Sequence, residues 1–467
     1  FSLGIDTNLE AVNRSPKNYV SWTFREQAKF FDVVTYTGNG ANRTISHNLG
    51  AVPGTIIIKR TDTTSAWAVY HRSLANTEYM VLNTTAAKAT GATYWNSTTP
   101  TSTVFSLGTA TDVNANAGTY VAYLFAHDAG GFGLTGNDNV ISCGTYNGNS
   151  TTNSINLGYE PQWLLIKRTT VAVSDWVLLD NMRGLTVGTS DAALCPNNAN
   201  AEGATVSVSG SIRPTATGFD LLNSNSALNV SGSSYIYIAI RRGPMKTPTS
   251  GTSVFTPIAW TATDAPATVS GFNFPVDLTW HGQRAGVYGS SNVTSWDRLR
   301  GAKAELYTGL TDAEGTRNGV TGFDYMSAVQ VSNPTTVGEV NYPAGNTEIF
   351  WGFRRAPSFF DEVCYTGTGA NTTQTHNLGV APEDFITPST RATALANTEY
   401  VVLNTTAAKA TGATRWNSTY PTSSVFSLGT ATEVNTSAAT YVAYLFATAA
   451  GVSKVGSYTG TAALQTV

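Results

Sequence analysis

Charge is what this sequence has least of. Asp, Glu, Lys and Arg make up 12% of its 467 residues and leave a formal net charge of −3. An ordinary soluble domain carries about twice that charged fraction. So neutral a chain has no field to gather phosphates or anionic lipid, which speaks against nucleic acid and membrane surfaces as partners. No apolar run approaches the ~18 residues of a membrane span; the longest are segments such as Tyr120 to Phe125, and no membrane insertion is expected. Cys143, Cys195 and Cys364 are too few and too irregularly placed for a disulfide framework, and no CxxC spacing suggests zinc or redox chemistry. Runs of Lys, Glu and Leu are sparse, which argues against helical bundles. What is present is 41% hydrophobic and 11% aromatic residues with 43 glycines, enough apolar surface to bury several cores. At roughly 100–200 residues per domain, the length predicts three or four domains.

The chain repeats itself. Leu74–Ala126 reappears as Leu395–Ala447 with eight substitutions. Upstream, DVVTYTGNGANRTISHNLGAVP (Asp32–Pro53) matches DEVCYTGTGANTTQTHNLGVAP (Asp361–Pro382). The first match is offset by 321 residues and the second by 329, so the later copy lacks eight residues between them. The missing stretch removes the match to Ile56–Arg60 and to Trp67, both of which read as strand positions. Weaker copies are marked by a Gly-x-x-Pro turn before an apolar strand, with Pro53, Pro161, Pro275 and Pro382 spaced by 108, 114 and 107. After it come IIIKRT (Ile56–Thr61) and LLIKRT (Leu164–Thr169), then a strand carrying Trp67, Trp176 or Trp296 that runs to a basic turn. Each module closes on an aromatic strand: TYVAYLFA (119–126), SYIYIAIR (234–241), TEIFWGFR (347–354) and TYVAYLFA (440–447).

Apolar stretches of four to eight residues, rich in Ile, Val, Tyr, Trp and Thr and bounded by Gly, Asn and Ser, predict short strands roughly every 8–12 residues. The expected fold is all-β, a tandem array of antiparallel β-sandwich, jelly-roll-like modules. The module boundaries are 32–127, 139–243, 252–356 and a shortened 361–448. NYVSWTFR (18–25) reads as another closing strand and FSLG (1–4) recurs at 105–108 and 426–429. Residues 1–31 are therefore expected to be the C-terminal part of a preceding module, and 449–467 the start of a further one. Asn39-Gly40, Asn147-Gly148 and Asn318-Gly319 suit hairpin turns, and Ala302–Glu314 is the one candidate helix. Tyr120, Ala122 and Leu124 alternate with Val121, Tyr123 and Phe125, so both faces of the closing strand are apolar and it is expected to be central. Short, Pro-bearing linkers such as Pro244–Gly251 favour semi-rigid end-to-end stacking.

Catalytic constellations are hard to find. His47 and His376 share one repeated position, replaced by Ile155 in the second module, and read as turn or surface imidazoles. His71, His127 and His281 have no partner at metal spacing. Asp180, Asp277, Asp297, Glu305, Asp312, Glu314 and Asp324 form no acid/base pair and read as solvated turn residues. Gly136-Asn137-Asp138-Asn139 lacks the acidic run of a calcium loop, and the GNG and GTG triplets at 38–40 and 367–369 lack the helix of a phosphate loop. No catalytic residue, metal or cofactor is expected. Between the near-identical copies, Tyr94/Arg415 and Thr99/Tyr420 vary around Trp95 and Trp416. Varying loop tips on a constant scaffold suit recognition, so Tyr94, Trp95, Thr99, Arg415, Trp416 and Tyr420 are the candidate recognition residues. Asn-x-Ser/Thr triplets, at Asn42, Asn83, Asn96, Asn404 and Asn417 among others, arise from composition.

YTGNG…HNLGAVPGTIIIKRT, LGYEPQWLLIKRT…WVLLDNMRG and SYIYIAIRRGPMKTPTSGTSVF together resemble the tandem β-sandwich repeats of virion structural and fibre proteins from marine tailed bacteriophages. The second module matches best; the third departs at its Gly-x-x-Pro turn, and the fourth lacks the IKRT and Trp strands. The resemblance implies a rod-like, multi-copy virion component without catalytic residues, a fibre or appendage of tail or capsid that spaces and attaches to host surface polysaccharide. Implied partners are further copies of the chain, as a homo-oligomer, or other virion proteins. A secreted bacterial adhesin or surface-layer repeat at the cell surface is the alternative, and a capsule depolymerase a third reading that no carboxylate pair encourages.

Overall fold

The structure, a computed structural model, describes residues 3, 13, 18–188, 192–204, 206–263, 265–285, 293–316, 319–332, 344–387, 389–392 and 394–466. Residues 1, 2 and 4 of the first FSLG, and Asn318, lie outside them. The described chain is all-β and modular. Module 1 holds β1 (Phe31–Thr37), β2 (Arg43–Ser46), β3 (Thr55–Arg60), β4 (Trp67–His71), β5 (Glu78–Val81), β6 (Ala89–Thr90), β7 (Val104–Leu107) and β8 (Thr119–Phe125). Module 2 holds β9 (Ile141–Asn147), β10 (Asn153–Asn156), β11 (Pro161–Arg168), β12 (Trp176–Asp180), β13 (Ile212–Thr215), β14 (Gly218–Leu221) and β15 (Ser234–Arg241). Module 3 holds β16 (Phe255–Thr261), β17 (Ala267–Ser270), β18 (Leu278–Ala285), β19 (Thr294–Asp297), β20 (Ala304–Tyr307), β21 (Gly315–Thr316), β22 (Val320–Gly322), β23 (Ala328–Val331) and β24 (Thr347–Phe353). Module 4 holds β25 (Phe360–Thr366), β26 (Thr372–Thr375), β27 (Asp384–Ile386), β28 (Thr390–Ala392), β29 (Glu399–Tyr400), β30 (Ala410–Thr411), β31 (Val425–Leu428) and β32 (Thr440–Phe446).

One topology serves all four. The main sheets begin β1-β8-β3-β4, β9-β15-β11-β12, β16-β24-β18-β19 and β25-β32-β27-β28, so the closing strand is central each time, between the first strand and the third. A smaller sheet covers one face, for example β2-β7 in module 1 and β10-β14-β13 in module 2. Asn39-Gly40 and Asn147-Gly148 are therefore not hairpins: β1 pairs with β8 and β2 with β7, so the chain crosses between sheets there. The crossing is tight. A Cβ on Gly38, Gly148 or Gly367 would sit 2.2, 2.3 or 2.1 Å from a carbonyl oxygen, which only glycine allows. A fully buried asparagine ties each of these crossings. Asn114 Nδ2 donates to the Ala41 and Gly108 carbonyls and its Oδ1 accepts from Asn39 N; Asn229 and Asn435 repeat the pattern in modules 2 and 4.

Strand register corrects several sequence alignments. Ala302–Glu314 contains β20 rather than a helix, and β10 places Ile155 where Ile45 stands in β2, not at the site of His47. Asp180 and Asp297 end β12 and β19 in equivalent pairings, which makes Trp296 the counterpart of Leu179 rather than of Trp176. Trp296 thus faces its own module's core, while Trp176 faces the neighbouring module. The β27–β28 pair shows that the third and fourth strands of module 4 survive, three residues each, despite the deletion. Residues 18–25 form no strand; Phe24 packs edge-on against Trp163 and Trp22 Nε1 donates to Asp180.

Both faces of the main sheets are apolar because the modules pack face to face, not end to end. Leu164 and Ile166 point into the module 2 core, while Trp163, Leu165, Trp176, Leu178 and Ile236 share a single core with Ile57, Phe125 and Phe31 of module 1. Modules 3 and 4 pack likewise through Leu278, Phe353, Phe360, Tyr444 and Phe446. Alternation puts one set of side chains inside each sandwich and the other against the neighbour.

The two pairs meet through charge. Arg355, just after β24, donates to both carboxylate oxygens of Glu160 in module 2 and to Asp361 in module 4. Arg242 lies 3.3 Å from both acids. Burial alone would raise the Asp361 carboxyl, but Arg355 and Arg242 hold it below its ordinary pKa.

Candidate functional site

The candidate recognition residues do not form one surface. Trp95 and Trp416 are 2% and 0% exposed; each indole N–H donates to a backbone carbonyl, of Glu78 or Glu399, inside its module core. Their flanking loop is exposed, but a large flat indole has most to gain by burial. Thr99 and Tyr420 are exposed, and Tyr420 lies under the Arg391 guanidinium, 5.0 Å from its ring centre. Tyr94 stacks on Tyr79 at 3.8 Å and donates to Asp112, while Arg415 covers Tyr400 at 3.4 Å and pairs with Glu433. One arrangement, an aromatic contact plus a carboxylate contact, is made in two ways.

The other titratable groups are structural. His47 and His376 are buried, not at the surface: each Nε2–H donates to a carbonyl (Thr101 or Thr422, 3.2 Å) and each Nδ1 accepts the N–H two residues on. Burial lowers both pKa values and keeps the rings neutral. Asp180, Asp277, Asp297 and Glu305 are also buried rather than solvated. Asp180 and Asp297 bind Arg183 and Arg300 three residues on, at 2.7 and 2.6 Å. In each the same oxygen, Oδ2, also accepts from an aromatic donor, Trp22 Nε1 at 2.9 Å or Tyr444 Oη at 2.8 Å, while Oδ1 accepts the arginine's backbone N–H. Asp138, in the glycine-rich turn, pairs with Arg241. Among the described residues no three His, Cys, Asp or Glu side chains are grouped to hold a metal ion, and no helix is long and apolar enough to cross a membrane.

A wide concavity lies where modules 2, 3 and 4 meet. It is a groove of about 1280 Å³, lined by Trp280, Tyr307, Arg300 and Glu314 of module 3, by Cys364, Thr440, Val442, Arg415 and Glu433 of module 4, and by Val187 and Arg213 of module 2. Its origin is the eight-residue deletion. In module 1, β3 runs along β8 as far as Arg60↔Tyr120; in module 4, β27 stops at Ile386↔Tyr444. Two of the eight substitutions between the copies answer this loss. Arg60 lies close enough to Asp112 to feel its charge, and where Arg60 has no counterpart, Arg415 supplies the cation to Glu433. A Cβ on Gly118 would come within 3.0 Å of Arg60 Nε, and with that arginine absent the position holds Ala439. Sequence reading missed the groove because its residues come from three modules; the deletion together with Tyr94/Arg415 was the signal that could have found it.

Fold and sites define a tandem β-sandwich protein whose buried polar groups hold modules together. The family model of a domain of unknown function (DUF7483) matches residues 1–244 and 250–466, and the chain belongs to that family. Each match spans one face-packed pair, modules 1 and 2 or modules 3 and 4. No curated protein matches the chain.

Proposed function

We propose that the chain is a non-enzymatic structural segment of a tailed-phage fibre or appendage, exposed on the virion, serving as a spacer and in attachment to host surface glycans. The observation that carries this reading is the locking of the sandwiches: sheet faces buried within each pair, and an arginine–carboxylate cluster between pairs. Such a cluster fixes relative orientation, which a load-bearing scaffold needs, whereas the buried carboxylates are engaged in ways that suit no acid/base pair. Sheet edges left at the module margins suit assembly with further copies or other virion proteins. Exposed Thr99 and Tyr420 are the positions suited to glycan contact.

Cryo-microscopy of virions labelled with an antibody to this chain tests the location. Labelling is expected on an exterior projection; density within the capsid shell or tail-tube wall would overturn the reading. A gene neighbourhood lacking capsid and tail genes would favour the bacterial adhesin instead. Host polysaccharide retained by the native chain and lost in the Thr99→Ala, Tyr420→Ala double variant supports the attachment role, and equal retention refutes that site.

A further inference from the structure

In module 1 the backbone of β8 is paired along both edges: β1 on one side, and β3 on the other over Thr55–Arg60, with Thr61 N–H continuing to the Thr119 carbonyl. Module 2 repeats this, β11 reaching Arg168↔Tyr235 along β15. In module 4, β32 is paired with β25 throughout, but on the other edge it meets β27 only at Phe446, Leu445 and Tyr444. The Phe446 carbonyl accepts Glu383 N–H on that edge, and strand alternation turns the backbone groups of Tyr444, Val442 and Thr440 the same way. Val442 and Thr440, the counterparts of Val121 and Thr119, have no strand beside them on that edge among the described residues, and both line the groove.

An unpaired run of N–H and C=O groups is a template for another backbone. Here it borders a space from which a strand has been removed, and Arg415 and Ala439 show that the surroundings have adapted to that removal. We propose that this edge accepts a short extended segment of a partner polypeptide, added antiparallel to β32 in the place that β3 takes in module 1. The molecule supplies the pattern that fits. Opposite Ala443 the guest places an apolar side chain, as Ile58 and Ile166, both 0% exposed, lie opposite the counterparts of Ala443. Opposite Val442 it places a lysine, as Lys59 and Lys167 do. A regular backbone ladder favours a peptide over a sugar, whose hydroxyls have no matching period.

The test uses the full chain and a fluorescently labelled peptide with the sequence of Ile58–Asp62, the stretch for which β27 has no counterpart, whose Lys59 and Thr61 amides face β32. Its anisotropy is expected to rise saturably on titration. N-methylation of the two peptide amides that face β32 removes their hydrogen bonds and is expected to weaken binding by about tenfold or more, whereas methylation of outward-facing amides leaves it unchanged. A variant whose residues 383–394 are replaced by module 1 residues 54–73, which restores the missing eight, fills its own groove and is expected to lose the binding. No saturable rise up to millimolar chain overturns the proposal, as does equal weakening by inward and outward methylation. Binding of an oligosaccharide, but not of the peptide, that the filled variant loses would also overturn it. The methylated peptides decide the matter even if the filled variant does not fold.

Discussion

Arg355 and Glu160 lie 195 residues apart in sequence and face each other through two parallel hydrogen bonds, Nη1–Oε1 at 2.8 Å and Nη2–Oε2 at 2.6 Å. Both are buried, and the same guanidinium reaches Asp361. It joins modules 2, 3 and 4 at one point.

Removing one side of such a pair leaves the other charged and dry. Arg355→Ala is expected to cost about 3–5 kcal/mol in urea unfolding of the full chain, whereas replacing Arg355, Glu160 and Asp361 together by apolar residues of similar volume costs much less. A cost for the single variant below that of an exposed pair would refute a buried bolt.

His71 gives the module 1–2 interface a pH dependence. Its Nε2–H donates to the Tyr237 carbonyl across the interface, and burial pushes its pKa from 6.5 down to about 4. Arg72 and His127 nearby disfavour its charge further. The unfolded chain therefore binds a proton that the folded one refuses between those values. The neutral ring's contribution is complete above pH ~6.5 and is lost as pH falls towards 4, by about 3 kcal/mol in all. Melting temperatures of the native chain and of His71→Asn, measured across that range, are expected to converge at the acid end.

Asn114 should be replaceable by nothing polar of another shape. Asn114→Ala strands the Ala41 and Gly108 carbonyls and the Asn39 N–H, each of which it now satisfies, at a cost of about 2–3 kcal/mol. Asn435→Ala in module 4 is expected to match it within experimental error in equilibrium unfolding.

Gly38 stands where the sheet crossing leaves no room. Gly38→Ala drives a Cβ to 2.2 Å from the Ala115 oxygen, a rigid backbone atom, and is expected to destabilise by about 3 kcal/mol. Gly136→Ala is the control: no atom lies within 4 Å of its added Cβ, so only the strain of its positive φ of 76° remains.

Much of the architecture was legible in sequence. The closing strands fell at 119–126, 234–241, 347–354 and 440–447 because aromatic and β-branched runs bounded by turn residues are local signals. Trp296 was misaligned with Trp176 by three residues; a slip by any odd number reverses the face a strand side chain presents, and a single tryptophan cannot reveal it. The candidate loop residues Trp95 and Trp416 were misjudged because their neighbours are exposed and their own burial depends on residues far along the chain.

By itself the sequence determined the repeat, its period, the all-β class and the loss of eight residues from the last module. Each is written in the order of residues along one segment. Only the tertiary structure decided what covers the second apolar face of each sheet, that Asp180 and Asp297 are buried beside Trp22 and Tyr444, and that the deletion opens a groove. Those outcomes depend on which module packs against which, and side chains 195 residues apart, such as Arg355 and Glu160, carry no local mark of their partner.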